Sequence, residues 1–303
     1  MSATLTRSQV EQYESQGYLM LEQLLPTELV NDLRSVTEQL TARAAALSDH
    51  DDVFELEEGH TSKEPRVRRI KRVLRNDVPS GYEKEFGFFR QVATYGPLVD
   101  ALTTLLGPDV RIQGGKLNAK PAGGGAPVEW HQDWAFYPHT NDDLLAVGIM
   151  LDDVDDENGP LLALPGSHTG PTFDHHHDGY FVGAIDVDAA GLDLSRAEAL
   201  TGPAGSVTIH HVRIVHGSAP NTSPRPRRLL LPQYAASDAW PLRGCGDFDA
   251  FDAQIIAGEP TIEPRLVPTP IRMPLPVQPE TSGSIFQRQH GAGKRYFAGV
   301  DGR

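Results

Sequence analysis

The segment best placed to do chemistry is Val128-Glu-Trp-His131-Gln-Asp133-Trp134. In an extended strand, residues two apart project to one face, so the His131 imidazole and the Asp133 carboxylate converge on one point. Such a pair is half of a metal site. It also arises by chance at the end of a surface strand, so a third ligand on a facing strand is required. His216 meets that need: it ends an apolar run over residues 206–216, where the chain is expected to turn at Gly217. Two histidines and a carboxylate on one side of an iron leave positions open for O2 and an organic co-substrate. The same set also fits an open zinc site in a hydrolase, and a non-catalytic binding module on the same scaffold is a third reading. Arg227 stands eleven residues after His216, on the next predicted strand beside Leu229 and Leu231. A guanidinium among aliphatic side chains wants a carboxylate, which its planar fork holds through two hydrogen bonds. The hydrolase reading gives that arginine no task.

These groups need a frame of strands. Residues 110–119, 144–154, 206–216 and 227–236 are short β-branched or alternating stretches separated by Gly, Pro, Asn and Asp, the pattern of a sandwich or barrel. The N-terminal part reads as helical. Thr6 and Gln9 form a capping-box signature ahead of a short helix that Gly17 stops, residues 18–25 read as a strand, and Pro26 precedes a second helix. Leu29, Leu33, Val36, Leu40 and Ala44 mark one face of that helix over residues 27–47, and residues 97–106 read as another. Seven prolines between Pro260 and Pro279 make the tail extended rather than helical. No linker or repeat divides the chain. The expected organisation is one catalytic domain over 1–303: a mainly helical layer at 1–107, a core carrying the metal site at 108–240, and a Pro-rich wrap at 241–303. In class it is α+β or mainly β, with N-terminal helices packed outside.

Composition narrows the partners. The 303 residues carry 27 Lys and Arg against 41 Asp and Glu, a net charge of −14, which disfavours nucleic acid and anionic membranes. The lone Cys245 rules out an internal disulfide and a cysteine-rich zinc module, and fits a reducing compartment. No stretch approaches a membrane span and the N-terminus lacks an apolar signal core, so a cytoplasmic location and a small-molecule substrate are expected. The composition leaves the oligomeric state open.

Three ordered blocks resemble the phytanoyl-CoA dioxygenase family of iron(II)/2-oxoglutarate oxygenases. They are Trp-His131-Gln-Asp133; Asp152-Asp-Val-Asp-Asp-Glu-Asn-Gly159-Pro with Leu164-Pro-Gly-Ser-His168; and His216-Gly-Ser-x-x-Asn-x-Ser-x-x-x-Arg227. Gln16-Gly-Tyr-Leu19 is similar to the family's entry segment, so the resemblance covers nearly the whole chain. It implies a double-stranded β-helix (jelly-roll, cupin-like) with iron on His131, Asp133 and His216. It also implies a 2-oxoglutarate carboxylate on Arg227, assisted by Ser218. Asn118 matches a co-substrate-contacting asparagine of the ectoine hydroxylase branch. The implied reaction decarboxylates 2-oxoglutarate to succinate and CO2 with O2, and hydroxylates a C–H bond of a small metabolite or acyl derivative. Desaturation, epoxidation or ring formation could follow from the same chemistry. The carboxylate at Asp133 favours hydroxylation over halogenation, whose enzymes carry a small residue there. Gly205-Ser206 departs from the Gly-Asp of many relatives, a change in a turn.

The remaining candidates have bland readings beside functional ones. Trp134 and Tyr137 are placed either to line the substrate side of the iron or to pack its rim. Within the basic run over residues 66–75, Lys71 or Arg72 could meet a substrate anion or serve the co-substrate, or could belong to a solvated strand face. His175-His-His177 reads as a solvated or lid loop, His168 as structural, one of His210 and His211 as lying in the core or just behind the metal, and Cys245 as unreactive.

Overall fold

The computed structural model describes residues 5–279 and 284–297; the first residues of the N-terminal segment and the end of the C-terminal wrap lie outside them. The helical layer and the first strands are α1 (Arg7–Gln16), β1 (Tyr18–Leu21), α2 (Thr27–Arg43), β2 (Phe54–Leu56), β3 (Val67–Ile70), α3 (Glu83–Ala93) and α4 (Gly96–Leu106). The strands that follow are β4 (Val110–Lys120), β5 (Val128–His131), β6 (Leu144–Met150), β7 (Leu161–Ala163), β8 (His176–His177), β9 (Tyr180–Phe181) and β10 (Glu198–Leu200). Then come β11 (Val207–His211), β12 (His216–Ser218), β13 (Arg227–Ala236), α5 (Phe248–Asp252), β14 (Ile255–Ala257) and α6 (Ile285–Gln289).

Two antiparallel sheets carry the site. The larger runs β1-β11-β6-β13-β4-β3-β2 with β14 beside β4, the smaller β10-β7-β12-β5. Strand periodicity sorts the larger sheet's side chains. Val147 and Ile149 of β6, Val207 and Ile209 of β11, and Leu117 of β4 join Leu33, Leu40, Phe86, Phe89 and Leu98 of the helices in one core. Burying each large apolar side chain there is worth roughly 1.5–3 kcal/mol. The alternate residues, among them Ala146, His210, Lys116, Asn118 and Lys120, line a cavity that β5 and β12 also border. Helices on one face and a cavity on the other are thus direct results of a period of two.

Local signals set the boundaries. The capping box at Thr6 and Gln9 forms as expected, and α1 ends where Gly17 takes φ +81°. β1 stops at Leu21, short of residue 25, because Gln23 turns with φ +47°. The buried stripe of α2 runs through Val30, Leu33, Thr37 and Leu40, so Leu29 and Val36 sit at its margins. Helix α3 was not foreseen; its buried residues Phe86, Phe89, Val92 and Ala93 follow a helical spacing that Gly87 and clustered aromatics obscure.

The expected strand over 206–216 is two strands in different sheets. β11 pairs with β6 in the larger sheet, the chain turns at residues 212–215, and His216 begins β12 in the smaller one. The turn, not Gly217, is what delivers the histidine. Val212, Ile214 and Val215 mimic strand because the crossing between sheets is itself buried. The tail is extended over residues 259–279 as its prolines require, while α5, β14 and α6 are ordered elements the proline count did not reveal.

Replacing Gly17 by Ala adds a Cβ 2.5 Å from His168 Nδ1 at a left-handed backbone position. The expected loss of stability is about 1–3 kcal/mol. Thermal unfolding checks it, with 2-oxoglutarate affinity unchanged.

Candidate active site

Register places the two histidines. β12 pairs with β5 so that His216 lies opposite His131, and their ring centroids are 4.1 Å apart. Asp133 follows β5 in a 3-10 turn (Asp133–Ala135) that swings its carboxylate back toward both rings. Ligand-type atoms of the three buried residues all lie within 4.8 Å of one another. His131 Nδ1 donates to the Glu129 carbonyl at 2.8 Å and His216 Nδ1 to that of Ile214 at 3.1 Å. Those bonds fix the tautomer and leave each Nε2 lone pair free for a metal, with His131 Nε2 3.7 Å from Asp133 Oδ1.

Electrostatics suit a cation. Burial alone would raise the Asp133 pKa, but His131, His216 and Lys116 outweigh it and hold the carboxyl well below its usual range. Burial, then the neighbouring His131 and His210, pushes His216 down, so it is a neutral imidazole at pH 7, the form a metal would require. His210, one of the two histidines of which one was expected in the core or behind the metal, has Nε2 4.0 Å from Asp133 Oδ2. Gln132, between the two candidate ligands, binds two loops: its backbone N–H donates to His175 Nε2 at 2.9 Å ahead of β8, and its side chain donates to the Arg213 carbonyl at 2.8 Å in the turn between β11 and β12. His175 is therefore a buried brace of the ligand strand, which corrects the solvated-loop reading for that residue; His177 alone of the three is exposed.

At the other end of the cavity Arg227 is buried, and burial lowers its pKa to about 10. Its Nε and Nη2 donate to the Gly159 carbonyl at 2.9 and 2.6 Å, and Nη2 to Ser218 Oγ at 3.0 Å. Gly159 holds φ +80°, and a Cβ there would sit 2.6 Å from the Ala219 carbonyl oxygen, which explains glycine in the Asn-Gly-Pro block. Lys120, not singled out from the sequence, reaches the same point: Nζ donates to Ser218 Oγ at 2.5 Å and to the Ala219 carbonyl. Burial, then Arg227, lowers its pKa strongly. Asn118 lines the cavity with a buried Oδ1 that lacks a hydrogen-bond partner among the described residues. Two cations sharing one hydroxyl, with no carboxylate at this end of the cavity, make a cradle for an anion. The donor sets thus fit both an iron and a dicarboxylate.

Three sequence candidates fall elsewhere or change role. Trp134 packs with Leu144, Val212 and Ala235, and its Nε1 donates to the Pro270 carbonyl, so it is core, because the 3-10 turn rotates it away from the cavity. Lys71 donates to the Asp51 carbonyl and borders a separate open cleft, not the metal cavity. The basic run is solvated at Arg72 but paired elsewhere: Arg68 with Glu57 at 2.5 Å, Arg69 with Glu55 at 2.9 Å and Arg75 with Asp77 at 2.6 Å. Tyr137 does face the site. Its hydroxyl accepts from Gln233 at 2.6 Å, and burial together with the Asp133 charge raises its pKa well above the usual value. Lys116 was missed as well. It and Lys120 flank Asn118 at a spacing of two, the signal that marks one strand face.

The family model for phytanoyl-CoA dioxygenase (PhyH) matches residues 13–229. The chain belongs to the phytanoyl-CoA dioxygenase family. The iron- and 2-oxoglutarate-dependent dioxygenases expected from the sequence are the class of this family, and the zinc-hydrolase and non-catalytic readings fall away. A probable alpha-ketoglutarate-dependent hypophosphite dioxygenase of Stutzerimonas stutzeri is 38% identical over 294 residues, 95% of this chain and 99% of that one. An ectoine dioxygenase of the same species is 28% identical over 250 residues, covering 77% and 78%. In fold, the crystal structure of EctD from S. alaskensis with bound Fe matches at TM-score 0.64 and 23% identity, covering 90% of each chain. No helix among the described residues is long and apolar enough to cross a membrane.

Buried neutral histidines set an acid limit on the fold. Burial lowers His139 to about 4 and His175 to about 3, against 6.5 for a free side chain. Below pH 6.5 the unfolded chain takes up these protons first. Stability is expected to fall between pH 6.5 and 4 by about 1.4 kcal/mol per pH unit for each histidine. Unfolding of the metal-free protein across that range checks the slope, and a flat profile would contradict it.

Proposed function

We propose that His131, Asp133 and His216 hold the iron of this dioxygenase, that Arg227, Ser218 and Asn118 hold 2-oxoglutarate, and that the substrate is a small anion, hypophosphite first among them. The two facing sheets are read as a double-stranded β-helix, with the site between them. The carrying observation is the cavity between those sheets, which joins the three candidate ligands to the Arg227 cradle.

Iron with 2-oxoglutarate and O2 supplies the oxidising power, one oxygen atom entering succinate and the other the substrate. The chain supplies placement. Arg227 and Ser218 meet the distal carboxylate, and Gly159, whose carbonyl holds the guanidinium, fixes the direction of that fork. Backbone carbonyls at Glu129 and Ile214 hold both histidines in one orientation. Val128, Leu161, Leu229 and Phe286 line the cavity with apolar surface that restricts water. For hypophosphite the balance is hypophosphite, 2-oxoglutarate and O2 to phosphite, succinate and CO2, with a P–H bond becoming P–O–H. That apolar lining also supports a second reading, hydroxylation of a C–H bond in a small carboxylate, as suits relatives named for ectoine and for L-proline.

Adding 2-oxoglutarate to anaerobic, Fe(II)-loaded protein should produce a weak visible absorption band, and Arg227→Met should raise the concentration needed by at least about tenfold. With O2, hypophosphite should yield phosphite by phosphorus NMR in step with succinate. Absence of the band contradicts the site assignment. Succinate coupled only to L-proline or ectoine would transfer the substrate reading to C–H chemistry.

A further inference from the structure

The cavity carries more positive charge than iron chemistry with 2-oxoglutarate requires. Three cations, Lys116, Lys120 and Arg227, line it against one carboxylate, Asp133. Iron(II) would add two positive charges and 2-oxoglutarate would remove two, so among the groups that line the cavity cationic side chains still outnumber carboxylates, while Glu55, Glu57 and Asp152 act on them from outside the lining. Cationic side chains that line a cavity without a carboxylate bonded to them there make a site for an anion.

The surplus is divided in space. Lys120 and Arg227 meet at Ser218, at the cradle end. Lys116 stands apart, four residues along β4 from Lys120, opposite Leu231 on β13. Among the described residues its ammonium has neither a hydrogen bond nor an ion pair, while the neighbouring Arg69 is tied to Glu55. Burial lowers its pKa, and the charge of Asp133 acts on it in the opposite sense, so it lies on the metal side. Lys116 and Gln233 border both the metal cavity and the open cleft that holds Arg69 and Lys71. The ammonium is thus at the mouth between solvent and the metal ligands.

We infer that Lys116 is the substrate anchor: its ammonium binds the anionic group of the substrate beside the metal and, with Gln233, sets the preference for small anions over neutral molecules. The inference rests on the metal and 2-oxoglutarate assignments above, and deepens them by assigning the substrate's charge to one side chain. It holds whether the anion is a phosphorus oxyanion or a carboxylate.

The test uses the anaerobic Fe(II) and 2-oxoglutarate complex, with hypophosphite and L-proline as calorimetric probes. Lys116→Met, which keeps the length of the side chain and removes the charge, should weaken binding of whichever anion the wild type binds by about 10- to 100-fold. Lys116→Arg should restore part of it. The 2-oxoglutarate affinity, read from the visible band, should be unchanged in both variants, which also reports that they are folded. Equal anion affinity in wild type and Lys116→Met overturns the inference, as does a parallel loss of 2-oxoglutarate affinity, which would move Lys116 to the co-substrate. A wild-type complex that binds neither probe also overturns it. Failure of the band itself would instead fault the metal and co-substrate assignment, so the two failures are distinguishable.

Discussion

The site depends on the cross-strand pairing of β5 with β12. Four residues of one strand and three of the other set His131 against His216, and the ligand geometry follows from that register. A slip by one residue would turn one imidazole to the opposite face, since side chains alternate. Much of the surrounding structure serves to prevent it. Gln132, between the ligands, ties β5 to the loop before β8, while Gln289 of α6 accepts from the Glu129 N–H at 2.9 Å. Leu161–Ala163 closes the other side of β12. The C-terminal segment is therefore a clamp on the ligand strand as well as a wrap.

The second organising feature is buried positive charge. An acidic protein concentrates Lys116, Lys120 and Arg227 in one cavity and satisfies two of them only with carbonyl and hydroxyl oxygens. Neutral acceptors orient a cation without neutralising it. The arrangement leaves the charge available to a ligand, and it explains the glycines around it: Gly125 and Gly159 give space to the Lys120 stem, where any Cβ would collide. Asn221 completes the frame by donating to the carbonyls of Lys120 and Pro121, which ties the turn after β12 to the end of β4.

Much of the site was legible in the sequence because its signals are local. His131 and Asp133 are two apart, at the end of β5 and in the turn that follows it, and Ser218, Asn221 and Arg227 recur in one block. The capping box at Thr6 was legible for the same reason. What the sequence hid depends on the third dimension. The buried turn at residues 212–215 looks like strand because both of its sides are covered. Trp134 looks like a wall of the site until a single 3-10 turn carries it into the core. Arg68 and Arg69 look solvated because their partners Glu57 and Glu55 lie just after and on another strand, β2. Lys116 and Lys120 were visible as alternating partners of Asn118, but a lysine on a strand is ordinarily a solvent residue, and only the helices packed on the opposite face show that here the polar side is the interior.

The central claim is that one register pair and one carboxylate create a single iron site. Equilibrium dialysis of anaerobic Fe(II) against wild type, Asp133→Ala and His216→Ala tests it most directly. One iron retained per wild-type chain, and loss of that iron from either variant while both remain folded, is the result this structure requires. Equal retention by all three proteins would contradict it.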